Sequence, residues 1–185
     1  MADEPHYFIG IPIPSEVSEV LADWQNEVEP FVKYKKWVHM DDFHVTIKFL
    51  GAVSSSQVRQ VEELMKDLKD YSPFELALNG INFFGKEDQP RVMYGLIEKE
   101  ENLLSIKNLM ETKLKKLGFE EDKRRFRPHV TLAKKWEKDK LQLSLEALNQ
   151  KLDQTSSSFK VNCINLYRVH PERERKYEVV KTYPI

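Results

Sequence analysis

Two hydrophobic periods alternate along this chain, and each switch between them marks a new element. Tyr7-Phe8-Ile9-Gly10-Ile11 reads as a strand stopped by Pro12 and Pro14, after which Val17, Val20, Leu21 and Trp24 return at helical spacing. Residues 44 to 50 form a second strand ending at Gly51. Ser54 to Ser56 then offer N-caps for a helix whose apolar face is Val58, Val61, Leu64, Met65 and Leu68. Pro73 to Ile81 and Arg91 to Glu98 alternate as two strands joined by the polar segment Gly85 to Pro90. Leu103, Ile106, Met110, Leu114 and Leu117 mark a further amphipathic helix, closed by Gly118 as a C-cap. A strand over 129 to 133, a helix over Leu141 to Leu152 and a polar loop at Thr155 to Ser158 follow. The chain ends in a hairpin with arms Lys160 to Val169 and Tyr177 to Tyr183, and its charged tip, Pro171 to Lys176, is solvated. Helices and strands interleave, yet several strand pairs have short connections. This predicts an α+β fold with a mixed, largely antiparallel sheet rather than a doubly wound parallel one.

One pattern recurs within the chain. His44-Val45-Thr46-Ile47 and His129-Val130-Thr131-Leu132 repeat the order His, apolar, Thr, apolar, at a separation of 85 residues (129 minus 44). That spacing is far too wide for a solenoid, and two related lobes explain it better. On a strand, side chains alternate between faces, so each motif presents an imidazole and a hydroxyl on one face, with Cα atoms roughly 7 Å apart. Val45, Ile47, Phe49, Val130 and Leu132 are expected on the opposite face, in a core.

Four such groups converging suit a phosphodiester. One histidine serves as base toward water and the other as acid toward the departing oxygen, because an imidazole near its ordinary pKa of about 6.5 has both forms accessible. Threonine hydroxyls donate to the nonbridging oxygens. Alternation leaves open which histidine is protonated. The second motif lies among Lys123, Arg124, Arg125, Arg127, Lys134 and Lys135. Arg127, two residues before His129, shares its face if the strand extends that far, and a guanidinium can grip phosphate bidentately. Lys48 continues the His44 and Thr46 face as a weaker candidate.

Composition narrows the remaining classes. The chain of 185 residues is 41% apolar and 32% charged with a formal net charge of -1, so any attraction to nucleic acid must be local. No apolar run approaches the roughly 18 to 20 residues needed to cross a bilayer, and the acidic start lacks a secretory pattern, so a cytoplasmic location without membrane contact is expected. The single cysteine, Cys163, reads as a structural thiol. Asp41 and Asp42 beside His44 invite a metal reading, but no carboxylate cluster accompanies His129 and no His-Glu-x-x-His spacing occurs, so no metal and no cofactor are expected. His6, His39 and His170 lack a partner pattern and are read as structural or surface residues.

With both motifs in view, the chain resembles the two-histidine phosphoesterase superfamily. The likeness is to its bacterial and archaeal RNA 2′,3′-cyclic phosphodiesterase branch, also called 2′-5′ RNA ligase-like or LigT-like. Trp37-Val38 followed by His44 to Gly51 resembles the first motif region, and Phe126-Arg127-Pro128-His129-Val130-Thr131-Leu132-Ala133 the second. Pro90-Arg91-Val92 before Tyr94, Leu117-Gly118-Phe119, and the closing Tyr183-Pro184-Ile185 extend the likeness over nearly the whole chain. Tyr94 stands where tryptophan is common, and Lys134-Lys135 where arginine often begins. The resemblance implies one domain over residues 1–185, built of two pseudo-symmetric lobes around a central cleft with helices outside. It implies metal-independent hydrolysis of an RNA-terminal 2′,3′-cyclic phosphate to a 2′-phosphate, with RNA termini or small cyclic nucleotides as substrates and a monomeric enzyme. His44 is then the proton donor, His129 the proton acceptor, and Thr46 and Thr131 the phosphate contacts. Competing readings are 2′-5′ linkages, ADP-ribose 1″,2″-cyclic phosphate, the reverse ligation, or a non-catalytic nucleotide-binding or RNA-binding module. Phe84 and Tyr94 are candidates to stack a base, or to be core.

Overall fold

The computed structural model describes residues 4–137 and 139–185. Its strands are β1 (His6–Pro12), β2 (Tyr34–Trp37), β3 (His44–Ala52), β4 (Phe74–Gly85), β5 (Pro90–Ile97), β6 (His129–Trp136), β7 (Ser156–Val161), β8 (Cys163–Val169) and β9 (Tyr177–Pro184). Its α-helices are α1 (Ser15–Val28), α2 (Ser55–Met65), α3 (Glu101–Lys116) and α4 (Leu145–Asn149). Most boundaries follow local chemistry. Ser54 opens α2 through a reciprocal capping box with Gln57, and Gly118, at φ +87°, takes the left-handed conformation just beyond α3.

All nine strands join one sheet in the order β7-β4-β5-β6-β3-β1-β8-β9, with β2 added beside β6, and every pairing is antiparallel. The sheet is thus more uniform than the mixed one expected. Its two arms meet only at β3 and β6, through the single register pair Val45↔Val130. They are held together again at the opposite end. Asn162 alone separates β7, at one edge of the order, from β8, near the other. One residue spans only a few ångströms, so the sheet must curl until its arms meet there. A cleft opens between them.

Helices cover the core side of each arm. From α1, Leu21 and Trp24 lie over Gly95 of β5, and the Trp24 indole donates 2.6 Å to the Gln154 carbonyl. Burying such apolar side chains is worth roughly 1.5–3 kcal/mol each. The α3 residues Leu103, Ile106, Met110 and Leu114 are fully buried, and that helix packs against β3.

Three expectations fail, each because long-range pairing outweighs local pattern. The helix expected over Leu141 to Leu152 is only five residues long: Leu141 N–H bonds to the Asp88 carbonyl, and Ser144 caps the first turn. At its other end, Asn149 commits its amide to the backbone of Ile81. The arm expected over Lys160 to Val169 breaks at Asn162, and Thr155 to Ser158 is largely β7, paired to β4, instead of a loop. Strand β2 has no signal in the alternation of Tyr34-Lys35-Lys36-Trp37 and exists because β6 offers it an edge.

Candidate active site

The Val45↔Val130 pair determines how the two motifs meet. In an antiparallel ladder, partner numbers change in opposite senses, so the next step sets His44 opposite Thr131 and Thr46 opposite His129. A local two-fold axis therefore runs between the valines, both fully buried. The four polar residues share the other face, where directly opposed side chains have Cβ atoms about 4.5–5.5 Å apart.

Each strand then departs from alternation at the same place. Opposite β1, Thr46 pairs with Gly10 and Lys48 with Ile9, leaving Ile47 as an extra residue; opposite β5, Thr131 pairs with Tyr94 and Ala133 with Met93, leaving Leu132. These matched bulges turn two successive side chains inward: Ile47 and Lys48 are 1% and 2% exposed, and Leu132 and Ala133 are fully buried. The fifth residue after each histidine is returned to the cleft face. These residues are Phe49, 54% exposed, and Lys134.

Two expectations are corrected by this. Phe49 is not a core residue, and Lys48 does not face the cleft. The Lys48 ammonium lies beneath α3, bonded to Glu111 (3.0 Å), Asp122 (2.9 Å) and the Glu120 carbonyl (2.7 Å). Lys107 completes the cluster through the same two carboxylates.

Both imidazoles are oriented alike. His44 Nδ1 lies 2.7 Å from the Asp42 carbonyl, and His129 Nδ1 lies 2.7 Å from the Arg127 carbonyl, each two residues upstream. A carbonyl only accepts, so Nδ1 carries the hydrogen and Nε2 of the neutral ring is left free to accept a proton. Thr46 Oγ1 stands 3.0 Å from His44 Nε2 and donates to it when the ring is neutral. Thr131 is half-buried on the same face, without a side-chain hydrogen bond among the described residues.

Aromatic rings wall in both histidines. His44 is flanked by Phe8 at 4.5 Å, Tyr177 edge-on at 4.8 Å and Tyr167 at 5.9 Å. His129 meets Phe84 edge-on at 4.9 Å and Tyr94 at 5.2 Å, and those two rings stack on each other at 4.2 Å. Phe84 and Tyr94 therefore pack against the His129 imidazole. Burial pushes the His44 imidazolium down to about 4 against the pull of the Asp42 carbonyl, and the charges of Lys134 and His129 add to the fall. His129 is lowered by burial and again by Lys134. Lys134 thus projects its charge on both histidines; burial and Lys36 lower its own pKa, while Asp42 raises it.

The structure gathers His44, Thr46, His129 and Thr131, and places Arg127 beside them differently from expectation. β6 begins at His129, so Arg127 precedes the strand; its carbonyl orients His129 and its exposed side chain lines the cleft. Asp41 and Asp42 do not turn toward His44. Asp41 pairs with Arg175, and the buried Asp42 carboxylate accepts the Lys176 and Tyr177 amides. Among the described residues no three His, Cys, Asp or Glu side chains converge as a metal site. His6 is exposed and His39 half-buried; His170 is buried against Glu178, as a structural residue. Alternation missed Phe49 and Lys134. The consecutive apolar pair Leu132-Ala133 was the one trace of a bulge, and in β3 the Lys48 side chain concealed its counterpart.

The cleft has a volume of about 1280 Å³, and Thr46, Phe49, Phe84, Arg127 and His129 are among the residues lining it. No described helix is long and apolar enough to cross a membrane.

Comparison with known proteins agrees with this geometry. The model of the LigT-like phosphoesterase family matches residues 11–94 and 96–175. A Geobacillus stearothermophilus protein named RNA 2′,3′-cyclic phosphodiesterase is 33% identical over 97% of this chain, which spans 57% of that longer relative. A Bacillus subtilis protein of the same name is 29% identical, with 95% of this chain and 94% of the relative covered. TT0787 of Thermus thermophilus shares the fold with a TM-score of 0.79 at 22% identity, covering 97% of each chain. The LigT of E. coli, in a crystal structure with 3′-AMP, does so with a TM-score of 0.78 at 22% identity, covering 98% of this chain and 99% of its own. With a family match over most of its length and paired histidine strands meeting across one cleft, the chain belongs to the LigT-like phosphoesterase family.

Proposed function

We propose that the protein hydrolyses an RNA-terminal 2′,3′-cyclic phosphate to a 2′-phosphomonoester, without a metal, by paired acid and base catalysis from His44 and His129. The observation that carries this reading is the convergence of two Nε2 atoms, each set by an Nδ1-to-carbonyl bond, from strands whose register places a threonine opposite each histidine. The curated relatives named RNA 2′,3′-cyclic phosphodiesterase support the substrate.

In the proposed reaction, water attacks phosphorus as His129 Nε2 takes its proton. The bond from phosphorus to O3′ breaks, and imidazolium His44 gives its Nε2 proton to O3′. The products are a 2′-phosphate and a 3′-hydroxyl, and the histidines exchange one proton through solvent to reset. The assignment of roles follows the family resemblance: the lowered pKa of each histidine belongs to the free site, and the negative charge of a bound phosphodiester favours the His44 imidazolium. Thr131 and Lys134 stabilise the charge developing on the phosphoryl oxygens. Phe49, exposed on the same face, offers the terminal base a stacking surface.

Incubation with 2′,3′-cyclic AMP in excess EDTA tests this, with the products resolved by ³¹P NMR. Formation of 2′-AMP, lost in His44→Ala and in His129→Ala, is expected. Chelator-sensitive turnover, 3′-AMP as product, or full activity in either variant would refute it.

A further inference from the structure

The two histidines are related by a local two-fold axis, but their supports are not. Each Nδ1 is held by the carbonyl two residues upstream. On the His129 side that residue is Arg127, which is exposed and lies before the strand. On the His44 side it is Asp42, 4% exposed, at the end of a short helical turn over Met40–Asp42. Its carboxylate reaches across to the hairpin of β8 and β9. Oδ2 accepts the Lys176 N–H at 2.8 Å, and Oδ1 accepts the Tyr177 N–H at 3.2 Å.

Two consecutive amides seldom share one acceptor group. Along a regular strand successive N–H groups point to opposite sides, so the chain at Lys176 and Tyr177 is turned to present both to one place. A negative group with two oxygens satisfies such a pair, and among side chains only a carboxylate is both. The Lys176 carbonyl meanwhile accepts the His170 N–H at 2.7 Å, which closes the hairpin tip onto the same residue.

What these bonds hold is a wall of the site. Tyr177 sets its ring edge-on against His44 at 4.8 Å and against Phe8 at 5.0 Å. From Glu178 to Thr182 every residue of β9 is exposed, so beyond its ladder with β8 this end of the strand meets the site through Tyr177 and Asp42. A second link, Arg175 to Asp41 at 2.6 Å, joins two exposed side chains and is screened by solvent.

We propose that Asp42 is a positioning residue for the proton donor: its carbonyl aims the His44 ring, and its carboxylate holds the hairpin so that Tyr177 stays packed against that ring. The inference rests on reading His44 as the acid of a cyclic phosphodiesterase. Both carboxylate oxygens are committed to amides, so Asp42 acts through His44 and not on the substrate.

The test is a double-mutant cycle of Asp42→Ala and Tyr177→Leu, with Asp42→Asn as the conservative variant. Turnover of 2′,3′-cyclic AMP gives kcat and KM, NMR titration follows each histidine, and circular dichroism confirms folding. We expect Asp42→Ala to lower kcat by about 10- to 100-fold, as a misplaced acid does, with KM changed by less than about threefold. Burial is the first cause of the low His44 pKa, and Lys134 and His129, the cations acting on the ring, stay in place. The value should therefore rise from about 4 to about 5 or higher, while that of His129 hardly moves. Tyr177→Leu should move His44 in the same direction. The double variant should be no more than about twofold worse in kcat than Asp42→Ala, because the ring has already left its place. Asp42→Asn keeps one oxygen and should fall between wild type and Asp42→Ala; if Asp42→Ala does not fold, Asp42→Asn closes the same cycle. Lowered stability with kcat and the His44 pKa unchanged, or effects of Asp42 and Tyr177 that simply multiply, overturn the positioning role and leave the phosphodiesterase reading standing. A coupled shift of the His44 pKa in a protein that turns over no cyclic phosphate supports the positioning of His44 and overturns the phosphodiesterase reading instead.

Discussion

Replacing Lys48 with Met separates the alternation reading of β3 from the bulged strand observed. Were Lys48 on the cleft face, the substitution would reduce catalysis and leave stability nearly unchanged. The structure places its ammonium, 2% exposed, against Glu111, Asp122 and the Glu120 carbonyl. Methionine keeps the length and apolar stem of the side chain and removes only the charge and its three bonds. Two carboxylates then share the single remaining cation, Lys107. Removing one partner from a buried ion pair costs about 3–5 kcal/mol, and the lower end, about 3 kcal/mol, applies because Lys107 stays. Asp122, at 45% exposure, is also partly solvated. For a chain of this size, about 3 kcal/mol corresponds to a fall in Tm of about 6–12 °C. Urea denaturation followed by circular dichroism and tryptophan fluorescence measures the loss, and turnover of 2′,3′-cyclic AMP well below the transition should stay within a few-fold of wild type. Adding Glu111→Gln restores charge balance and should recover part of the stability. A loss below about 1 kcal/mol with a large fall in turnover would refute the bulge argument.

Other outcomes follow from the site. An NMR titration of the free protein should find His44 protonating near pH 4. The unfolded chain charges this histidine at about 6.5, so it binds the additional proton between the two values. Stability should therefore decline as pH falls from about 6.5 to 4, by about 3 kcal/mol in full, and His44→Gln should lack that decline. Lys134→Gln should raise both histidine pKa values, since Lys134 lowers each, and should reduce kcat on the order of 10²-fold; Lys134→Arg should retain most activity. Phe49→Ala should weaken substrate binding by about 1–3 kcal/mol, seen mainly in KM, with little change in Tm because Phe49 is 54% exposed.

The elements that local chemistry governs were legible without coordinates. Period and caps located β1, α1, β3, α2, α3 and β6, and alternation put His44 with Thr46 and His129 with Thr131 on shared faces. Those pairs needed only that their strands be extended over three residues, which the neighbouring apolar positions ensured. Tertiary structure decided everything that depended on a partner. The Val45↔Val130 register brought the two pairs to one cleft, and the bulges at Ile47 and Leu132 sent Lys48 to the core and Phe49 and Lys134 to the site. The break at Asn162 curled the sheet, and Asp88 and Ile81 shortened α4. The physical reason is common to all of these. A side chain's face is set by alternation only while the ladder beside it stays in step, and the ladder is made by residues distant in sequence.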